Sequence, residues 1–379
     1  MSEKLVLPID VRSEFPIKEQ YVFLNHAGVS PIPVCTQMTL TEFARDAAEE
    51  GPANYASWLH GMKLAREAAG TLLHCKPDDI CFIHNTTHGI LIIANSIDWR
   101  EGDNVVGLAH EFPANVHPWK NLKHRGVEFR LVPERSDYTY SLDDIAQVID
   151  AHTRLVAVSW VEYGTGVRND LTALAELCRE KNVYLFVDAI QGLGVLPIDV
   201  EALGIDFLAA DGHKWLLAPE GCGILYVRRE RIAELNENMC GWCGLQNPQE
   251  YDNYDQQYRG DARRFEEGSH NLMAIHALGS SVRLLLDTGI SLIEERVRAL
   301  TSYLIEKLSE KGYTIVTPHP WEKRAGIVSF AKAGVDPARV VRNLQEKKIL
   351  IAARRGFLRA SPHFYNDEGE LDTLIAALP

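Results

Sequence analysis

The sequence predicts an α/β fold with a mainly parallel sheet, and three observations support this prediction. Short apolar runs alternate with helical patterns through the middle of the chain, which is typical of a parallel sheet with helices on both faces. The runs are almost continuously apolar, as in strands that are buried on both faces. The chain has 379 residues, 46% of them hydrophobic and 24% charged, which is enough for two domains and a large core.

The predicted elements follow one another in order along the central part of the chain. Residues 170–182 place apolar side chains at i, i+3, i+4 and i+7, which predicts a helix. Residues 230–270 are polar and aromatic, which indicates a long loop region over an active site or a subunit contact. The predicted buried strands are RLVAVSWV (154–161), VYLFVD (183–188), FLAAD (207–211) and GILYVRR (223–229).

The last hundred residues predict a smaller C-terminal α+β domain. A long helical pattern begins near residue 271, and the short strand patterns GIVSFA and ILIAAR follow it. We therefore predict an N-terminal segment (1–30) that packs on the active site and the small domain. A large domain (31–270) and a linking helix with the small domain (271–379) follow it.

Charge and cysteine usage restrict the class of protein. The net charge of −13 disfavours a nucleic-acid partner and an anionic membrane surface. No signal-peptide pattern and no stretch of about 18 apolar residues is found, so we predict a cytoplasmic protein without a membrane span. Seven cysteines without framework spacing are typical of reduced thiols. The pair Cys240 and Cys243 has no matching second pair, so no metal site is predicted.

Two chemically active side chains follow neighbouring predicted strands. Asp188 ends one strand, and Lys214 follows the next strand by three residues. Ligands of parallel sheets bind at the carboxyl ends of the strands. The two side chains are either a buried ion pair or the two ends of a cofactor site. Pyridoxal phosphate has both needs, because its aldehyde forms a Schiff base with lysine and its protonated ring nitrogen needs a carboxylate.

The stretch HNTTHGILIIANSI (84–97) offers a cradle for the phosphate of such a cofactor. Thr86 and Thr87 precede an apolar helical run, so backbone N–H groups at the start of a helix can face an anion. The alternative is an ordinary helix N-cap with no ligand. Taken alone, this stretch does not decide between them.

Several motifs in order resemble the class V aminotransferase family, in particular its cysteine desulfurase and isopenicillin N epimerase-like branch. The resemblance implies a fold-type I pyridoxal-phosphate transferase, with a mainly parallel sheet of the seven-stranded type and a small C-terminal domain. It runs through nearly the whole chain. The motifs are NTTHG (85–89), HEFPANVHPW (110–119), DAIQ (188–191), DGHKW (211–215), PEGCGILY (219–226), RRFEEGSHN (263–271) and LRASPHFYN (358–366).

The resemblance implies a set of residues that bind the cofactor. Lys214 is the expected Schiff-base lysine, which also carries the proton once substrate displaces it. Asp188 is expected to pair with the pyridinium nitrogen, and Gln191 to bind the ring hydroxyl oxygen. The remaining cofactor-binding residues are Phe112, stacked on the ring, and Thr86, Thr87, His213 and a partner chain's Ser269, on the phosphate. The role of Ser269 implies a homodimer with its active site at the interface.

The resemblance also implies a substrate with an amino-acid carboxylate. Arg359 is expected to hold that carboxylate with two parallel hydrogen bonds. Tyr163, Arg354 and Asn25 are the further predicted substrate-binding residues. Asn25 belongs to the stretch LNHAGVSPIP (24–33), which we expect to line the entrance.

The sequence departs from the family in three places. Asp211 stands where many relatives carry a serine near the phosphate, so we expect it to point elsewhere, towards His213. Tyr163 stands near a position that is asparagine in desulfurases. The mobile loop that carries the nucleophilic cysteine of desulfurases is missing, and no cysteine follows Cys243. Desulfurase activity by that mechanism is therefore disfavoured, while Arg354 and Arg355 remain to bind a second carboxylate or another anion.

Several functions remain open at the level of sequence, because fold does not fix function. Transamination of an amino acid is the first prediction. A β-eliminating C–S lyase follows, and then an isopenicillin N epimerase-like enzyme. A non-catalytic binding protein on the same scaffold is the alternative from another class. A nucleotide-binding oxidoreductase is excluded because Pro197 takes the place of the third glycine of a dinucleotide fingerprint in QGLGVLP.

Overall fold

The computed structural model describes residues 7–379, so residues 1–6 of the predicted N-terminal segment lie outside the described part. Within that part, no helix is both long enough and apolar enough to cross a bilayer. The strands are β1 (Val22–Phe23), β2 (Ile80–Ile83), β3 (Asn104–Leu108), β4 (Glu128–Val132), β5 (Thr153–Ser159), β6 (Tyr184–Asp188), β7 (Phe207–Asp211), β8 (Gly223–Val227), β9 (Thr314–Ile315), β10 (Val328–Ala331), β11 (Ile349–Leu350), β12 (Ala352–Arg354) and β13 (Phe357–Ala360).

Most of the helices alternate with strands in the large domain, and others share a hydrophobic core with the strands of the C-terminal domain. The helices are α1 (Val11–Glu14), α2 (Val34–Glu49), α3 (Tyr55–Leu73), α4 (Thr86–Ser96), α5 (His117–Asn121), α6 (Leu142–Val148), α7 (Leu171–Lys181), α8 (Val200–Leu203), α9 (Leu272–Thr288), α10 (Ile290–Glu310), α11 (Pro337–Glu346) and α12 (Glu368–Ala377).

The main sheet has seven strands in the order β2-β8-β7-β6-β5-β3-β4. All neighbouring pairs from β4 to β7 are parallel, whereas β8 runs antiparallel between β7 and β2. The predicted α/β class with a mainly parallel seven-stranded sheet is therefore confirmed. The carboxyl ends of β5, β6 and β7 meet at the centre of one edge.

The strands of this sheet are buried on both faces, as their apolar composition predicts. Alternate side chains belong to two separate hydrophobic clusters. Val156 and Val158 of β5 lie in one cluster, while Leu155 and Ala157 lie in the other. The same alternation holds along β6 and β7. Both faces being covered is the reason that these strands lack the apolar–polar alternation of a half-exposed sheet.

The predicted central elements are present with small shifts at their ends. The helix predicted at 170–182 is α7, where the Asp170 side chain accepts from the backbone N–H of Thr172 and Ala173. Asn182 ends it in the left-handed conformation, with φ of 54°. The strand predicted at 223–229 ends at Val227, because Arg229 begins a 3-10 turn. Residues 230–270 form 3-10 turns and loops, as expected.

The C-terminal domain contains a four-stranded antiparallel sheet in the order β12-β13-β10-β9. Strand β1, from the N-terminal part of the chain, pairs in parallel with β11 of this domain. The bridge between Asn25 and Ser361 continues that contact. The boundaries predicted at residues 30 and 270 stay predictions, while the smaller C-terminal domain itself is confirmed.

Candidate active site

A cavity of about 430 Å³ opens at the carboxyl ends of β5, β6 and β7, between the main sheet and the C-terminal domain. Its volume lies in the range of small-molecule and cofactor sites. Of the predicted site residues, all but Ser269 line it. They are Asn25, Thr86, Thr87, Phe112, Tyr163, Asp188, Gln191, His213, Lys214, Arg354 and Arg359.

Lys214 lies three residues beyond β7 and is only 7% exposed. A tight turn holds it, in which Leu217 has φ of 58° and donates its N–H to the Lys214 carbonyl at 3.1 Å. Its Nζ lies 5.3 Å from the centre of the Phe112 ring. Burial lowers the pKa of the amine to about 8, although the Asp188 carboxylate acts in the opposite direction. The amine therefore loses its proton at a much lower pH than an ordinary lysine does.

Asp188 ends β6 at the centre of the sheet, where Ser159 and Ala209 are its register partners. Its Oδ1 accepts a hydrogen bond of 3.1 Å from the backbone N–H of Ile190. Burial raises its pKa to about 6, and both that hydrogen bond and Lys214 oppose the increase. At neutral pH the cavity thus contains a buried carboxylate that can stabilise a cation.

The start of α4 contains an N-cap and also lines the cavity. Asn85 accepts at 2.9 Å from the backbone N–H of His88. The first N–H groups of a helix have no partner within it, so those of Thr86 and Thr87 are available to an anion. The sequence offered two interpretations of this stretch, a phosphate cradle and an ordinary helix N-cap, and the two are compatible.

His213 and Asp211 lie beside the start of α4. Nδ1 of His213 is 3.0 Å from Oδ2 of Asp211, although the two atoms are not aligned for a hydrogen bond. The other carboxylate oxygen of Asp211 accepts at 2.7 Å from the backbone N–H of Gly212. The backbone N–H of Asp211 donates to Oγ1 of Thr86 at 3.1 Å. The Asp211 carboxylate thus accepts a hydrogen bond from its own turn and lies beside the His213 ring.

Arg359 enters the cavity from β13 and is 1% exposed. Its Nη1 donates at 2.7 Å to the backbone carbonyl of Tyr163. Its Nε and Nη2 are buried and have no hydrogen-bond partner among residues 7–379. Burial lowers the pKa of this guanidinium to about 9, and Arg354 adds to the effect. An unpartnered Nε–Nη2 edge is the arrangement that binds a carboxylate with two parallel hydrogen bonds.

The two neighbouring arginines of the β12–β13 hairpin have different surroundings. Arg354 is exposed and lines the cavity. Arg355 points away, and its Nη1 and Nη2 each donate at 2.7 Å to the carboxylate of Glu134. The expectation that both arginines are available to an anion is therefore wrong for Arg355.

A tight hairpin turn stands at the place where desulfurases carry their mobile, cysteine-bearing loop. Arg355 and Gly356 have φ of 52° and 81°, and these two residues alone connect β12 to β13. Among the described residues no cysteine lines the cavity. The cysteine nearest to Lys214 in sequence is Cys222. It is buried, and burial raises the pKa of its thiol.

Ser269 is the one predicted site residue outside the cavity. It is exposed and lines a separate small cavity beside His84 and Glu267.

Sequence reasoning missed two buried residues that lie behind the cavity lining. Trp215 donates its indole N–H to Gln191 at 2.9 Å, and its only sequence signal was its position after Lys214. Glu111 accepts hydrogen bonds from the backbone N–H and hydroxyl of Ser159. Burial raises the pKa of Glu111 to about 8. Nothing in its sequence context separates it from an exposed loop carboxylate.

These groups match the needs of pyridoxal phosphate on observations of the chain itself. The cavity combines a buried amine, a buried carboxylate, an amide N–H, an open aromatic ring and the N–H groups at the start of a helix. An aldehyde, a pyridinium nitrogen, a ring hydroxyl, a flat ring and a phosphate each find a partner in that set. The unpartnered edge of Arg359 remains for a substrate.

Comparison with known proteins gives a family match over nearly the whole chain. The Aminotransferase class-V family model matches residues 22–374. The chain is 29% identical to a probable cysteine desulfurase of Methanothermobacter thermautotrophicus, over 96% of each protein. It is 27% identical to the uncharacterized aminotransferase YcbU of Bacillus subtilis, over 96% of this chain and 95% of that protein.

Solved structures show the same fold at low sequence identity. An apo cysteine desulfurase from Thermococcus onnurineus NA1 matches with a TM-score of 0.88 and 24% identity, over 99% of this chain and 98% of that one. A complex of the cystine C–S lyase C-DES with cysteine persulfide matches with a TM-score of 0.88 and 24% identity. That match covers 96% of this chain and 98% of the other.

Proposed function

This chain belongs to the aminotransferase class-V family of pyridoxal-phosphate enzymes, and we propose that it cleaves the Cβ–S bond of a cysteine-derived amino acid by β-elimination. The observation that carries the proposal is a cavity that combines predicted partners for the cofactor and for a carboxylate, and that no cysteine lines among residues 7–379. Relatives named as probable cysteine desulfurases support C–S chemistry. A desulfurase passes sulfur to its own cysteine, whereas β-elimination lets the sulfur depart with the leaving group.

The chain's own residues would hold the cofactor at every end. Lys214 would hold the aldehyde carbon covalently, Asp188 the ring nitrogen and Gln191 the ring hydroxyl. Phe112 would cover one face of the ring. Thr86, Thr87 and His213 would hold the phosphate. When bound, the cofactor withdraws electrons from the α-carbon of the amino acid, which makes its C–H bond acidic.

Lys214 is the base for that C–H bond. Burial lowers the pKa of the free amine to about 8 and so favours the neutral form that can accept a proton. The Nε and Nη2 atoms of Arg359 would bind the α-carboxylate and so orient the substrate. Loss of a thiolate or persulfide from Cβ then needs no further protein nucleophile.

The rim of the cavity favours a substrate with an anionic group on its side chain. Arg354 is the exposed cation at that rim, because Glu134 engages Arg355. Tyr163 and Asn25 line the same space and are proposed substrate contacts. The second half of cystine, with its own carboxylate, has the required chemistry.

We also propose that the active form is a cytoplasmic homodimer. The exposed position of Ser269, outside the cavity of its own chain, is consistent with a role at the phosphate of a partner. All seven cysteines are unpaired, as is usual in a reducing compartment. Gel filtration with light scattering tests the dimer, and a monomer with full activity contradicts it.

Product analysis tests the reaction. The purified holoprotein is incubated with L-cystine, L-cysteine and S-substituted cysteines, and pyruvate, ammonia, alanine and oxo acids are quantified. We expect pyruvate and ammonia in equal amounts. Alanine with protein-bound persulfide would instead indicate desulfuration. Conversion that depends on an added 2-oxo acid would indicate transamination, the reaction first predicted from the sequence.

Cysteine variants sharpen this test. Each single Cys→Ala variant, from Cys35 to Cys243, should keep more than about half of the elimination rate, because none of the cysteines in the described part of the chain lines the cavity. A variant that folds and binds the cofactor but produces no pyruvate would show that a protein thiol takes part.

A further inference from the structure

The direction of the Gln191 amide is decided by two partners of opposite kind. Gln191 is 3% exposed and lines the cavity. Its Oε1 accepts at 2.9 Å from Nε1 of Trp215, and its Nε2 donates at 3.1 Å to the carbonyl of Ala27. An amide can be turned end for end with little change in shape, so its partners determine its orientation. An indole N–H can only donate and a peptide carbonyl can only accept, so both partners require the same orientation.

This orientation leaves a donor for the cavity. The Gln191 NH₂ group has two hydrogens, and Ala27 takes one of them. A reversed amide would put its oxygen against the Ala27 carbonyl and its NH₂ against the indole N–H, so both buried hydrogen bonds would be lost. The second N–H of the amide is therefore held available to a ligand in the cavity.

Trp215 itself is held on several sides. It is 0% exposed. A Cβ added at Gly326 would lie 2.4 Å from its Cη2, and one added at Gly194 would lie 2.4 Å from its carbonyl oxygen. His363 donates its Nε2 hydrogen to that carbonyl at 3.1 Å, since its Nδ1 accepts from the backbone N–H of Phe364 at 2.8 Å. The indole N–H therefore has one direction, and that direction is towards Gln191.

We propose that Trp215 is a positioning residue that fixes the Gln191 amide, so that its NH₂ end and not its oxygen faces the ring hydroxyl of the cofactor. An ionised ring oxygen accepts a hydrogen bond from such a donor and is repelled by an amide oxygen. The inference requires the cofactor of the family but no particular reaction. It can therefore fail while β-elimination stands, and it can hold if β-elimination fails.

Cofactor binding to the apoprotein tests this role without turnover. Trp215→Phe removes the indole N–H, so Gln191 loses the partner that orients it. We expect pyridoxal phosphate to bind about tenfold more weakly, the effect of about one buried hydrogen bond. We also expect the visible absorbance band of the loaded protein to titrate at higher pH, because the ionised ring oxygen has lost its donor.

A double-mutant cycle separates positioning from packing. Gln191→Met removes the amide. If Trp215 acts through Gln191, adding Trp215→Phe to Gln191→Met weakens cofactor binding no further. Additive losses, or an unchanged dissociation constant in Trp215→Phe alone, would overturn the proposal.

Two further variants guard against a general packing effect. Benzothienylalanine at position 215 keeps the shape of the indole but lacks the N–H, and it should reproduce both changes even if Trp215→Phe does not fold. An unchanged absorbance titration in that protein refutes the role. Trp99→Phe is the matched control, since it removes an indole hydrogen bond of 2.7 Å to Ala94 that lies outside the cavity. It should leave binding and absorbance unchanged.

Discussion

The two edges of the main sheet, at the amino and at the carboxyl ends of its parallel strands, differ in how their buried charged groups are partnered. At the amino edge, a cavity of about 600 Å³ is lined by several charged residues, and some of them pair with one another. Asp206 accepts from Arg231 at 2.8 Å and from the backbone N–H of Leu185 at 2.9 Å. At the carboxyl edge, the smaller cavity contains Lys214, with its pKa lowered by burial, and Arg359, with two unpartnered nitrogens.

The larger cavity is therefore not the better candidate for a site. Native proteins pair nearly all of their buried polar atoms, so an unpaired set needs an explanation. A ligand that supplies a carboxylate and a phosphate provides one at the carboxyl edge. At the amino edge, the buried Asp206 is paired with Arg231 and with a backbone N–H, so it needs no ligand.

Removing the amine at the carboxyl edge should have the largest effect. Lys214→Ala should lower turnover by about 10³-fold or more, because the residue that holds the cofactor and moves the α-proton is lost. Steady-state pyruvate release measures this. Lys181→Ala is the control from the rim of the amino-edge cavity, and it should keep the wild-type rate. Equal rates in all three proteins would remove Lys214 from the mechanism.

Replacing the guanidinium group of Arg359 should have the next largest effect on catalysis. Arg359→Lys keeps the charge but cannot present two parallel N–H groups, so kcat/KM should fall about 100-fold. Arg231→Lys, at the amino edge, is the matched control and should change kcat/KM less than about twofold. If the Arg359 variant retained wild-type kcat/KM, the substrate carboxylate would have to bind elsewhere.

The lowered pKa of Lys214 predicts a pH dependence of stability in the cofactor-free protein. The folded pKa is about 8 and the unfolded one is near 10.5, so the unfolded chain binds more protons between these values. Stability should therefore rise with pH through this window and carry a constant penalty below it. Relative to Lys214→Met, the wild-type unfolding free energy should gain on the order of 2 kcal/mol from pH 8 to 10.5. Parallel curves from denaturant unfolding would contradict the lowered pKa.

The smallest predicted effect is the loss of unfolding free energy when one arginine at each edge of the sheet is replaced by methionine. Arg231→Met leaves the buried Asp206 with a weaker set of partners and should cost about 1–2 kcal/mol of unfolding free energy. Arg359→Met removes a buried guanidinium that has one hydrogen bond, and should cost less than about 0.5 kcal/mol. Chemical denaturation of the cofactor-free proteins measures both. The reverse ranking would mean that Arg359 serves folding and not a ligand.

Local patterns in the sequence predict the sheet and the two central side chains. The strands are recognisable because they are apolar on both faces. Asp188 is recognisable because it ends such a strand, and Lys214 because it follows one. Contacts between distant segments could not be predicted in this way. Gln191 is oriented partly by Ala27, which is 164 positions away.

The sequence also could not predict that Arg354 lines the cavity while Arg355 pairs with Glu134. A two-residue turn and the carboxylate of Glu134, more than 200 positions earlier, decide which of them reaches the cavity. Ser269 lies outside the cavity of its own chain, so its predicted role depends on a second chain and remains a prediction.

The most direct measurement is a crystal structure of the loaded protein with L-alanine, an amino acid that has no leaving group at Cβ. The alanine carboxylate should lie about 2.7–3.1 Å from both Nε and Nη2 of Arg359. A carboxylate bound elsewhere, with that edge of Arg359 still unpartnered, would contradict it.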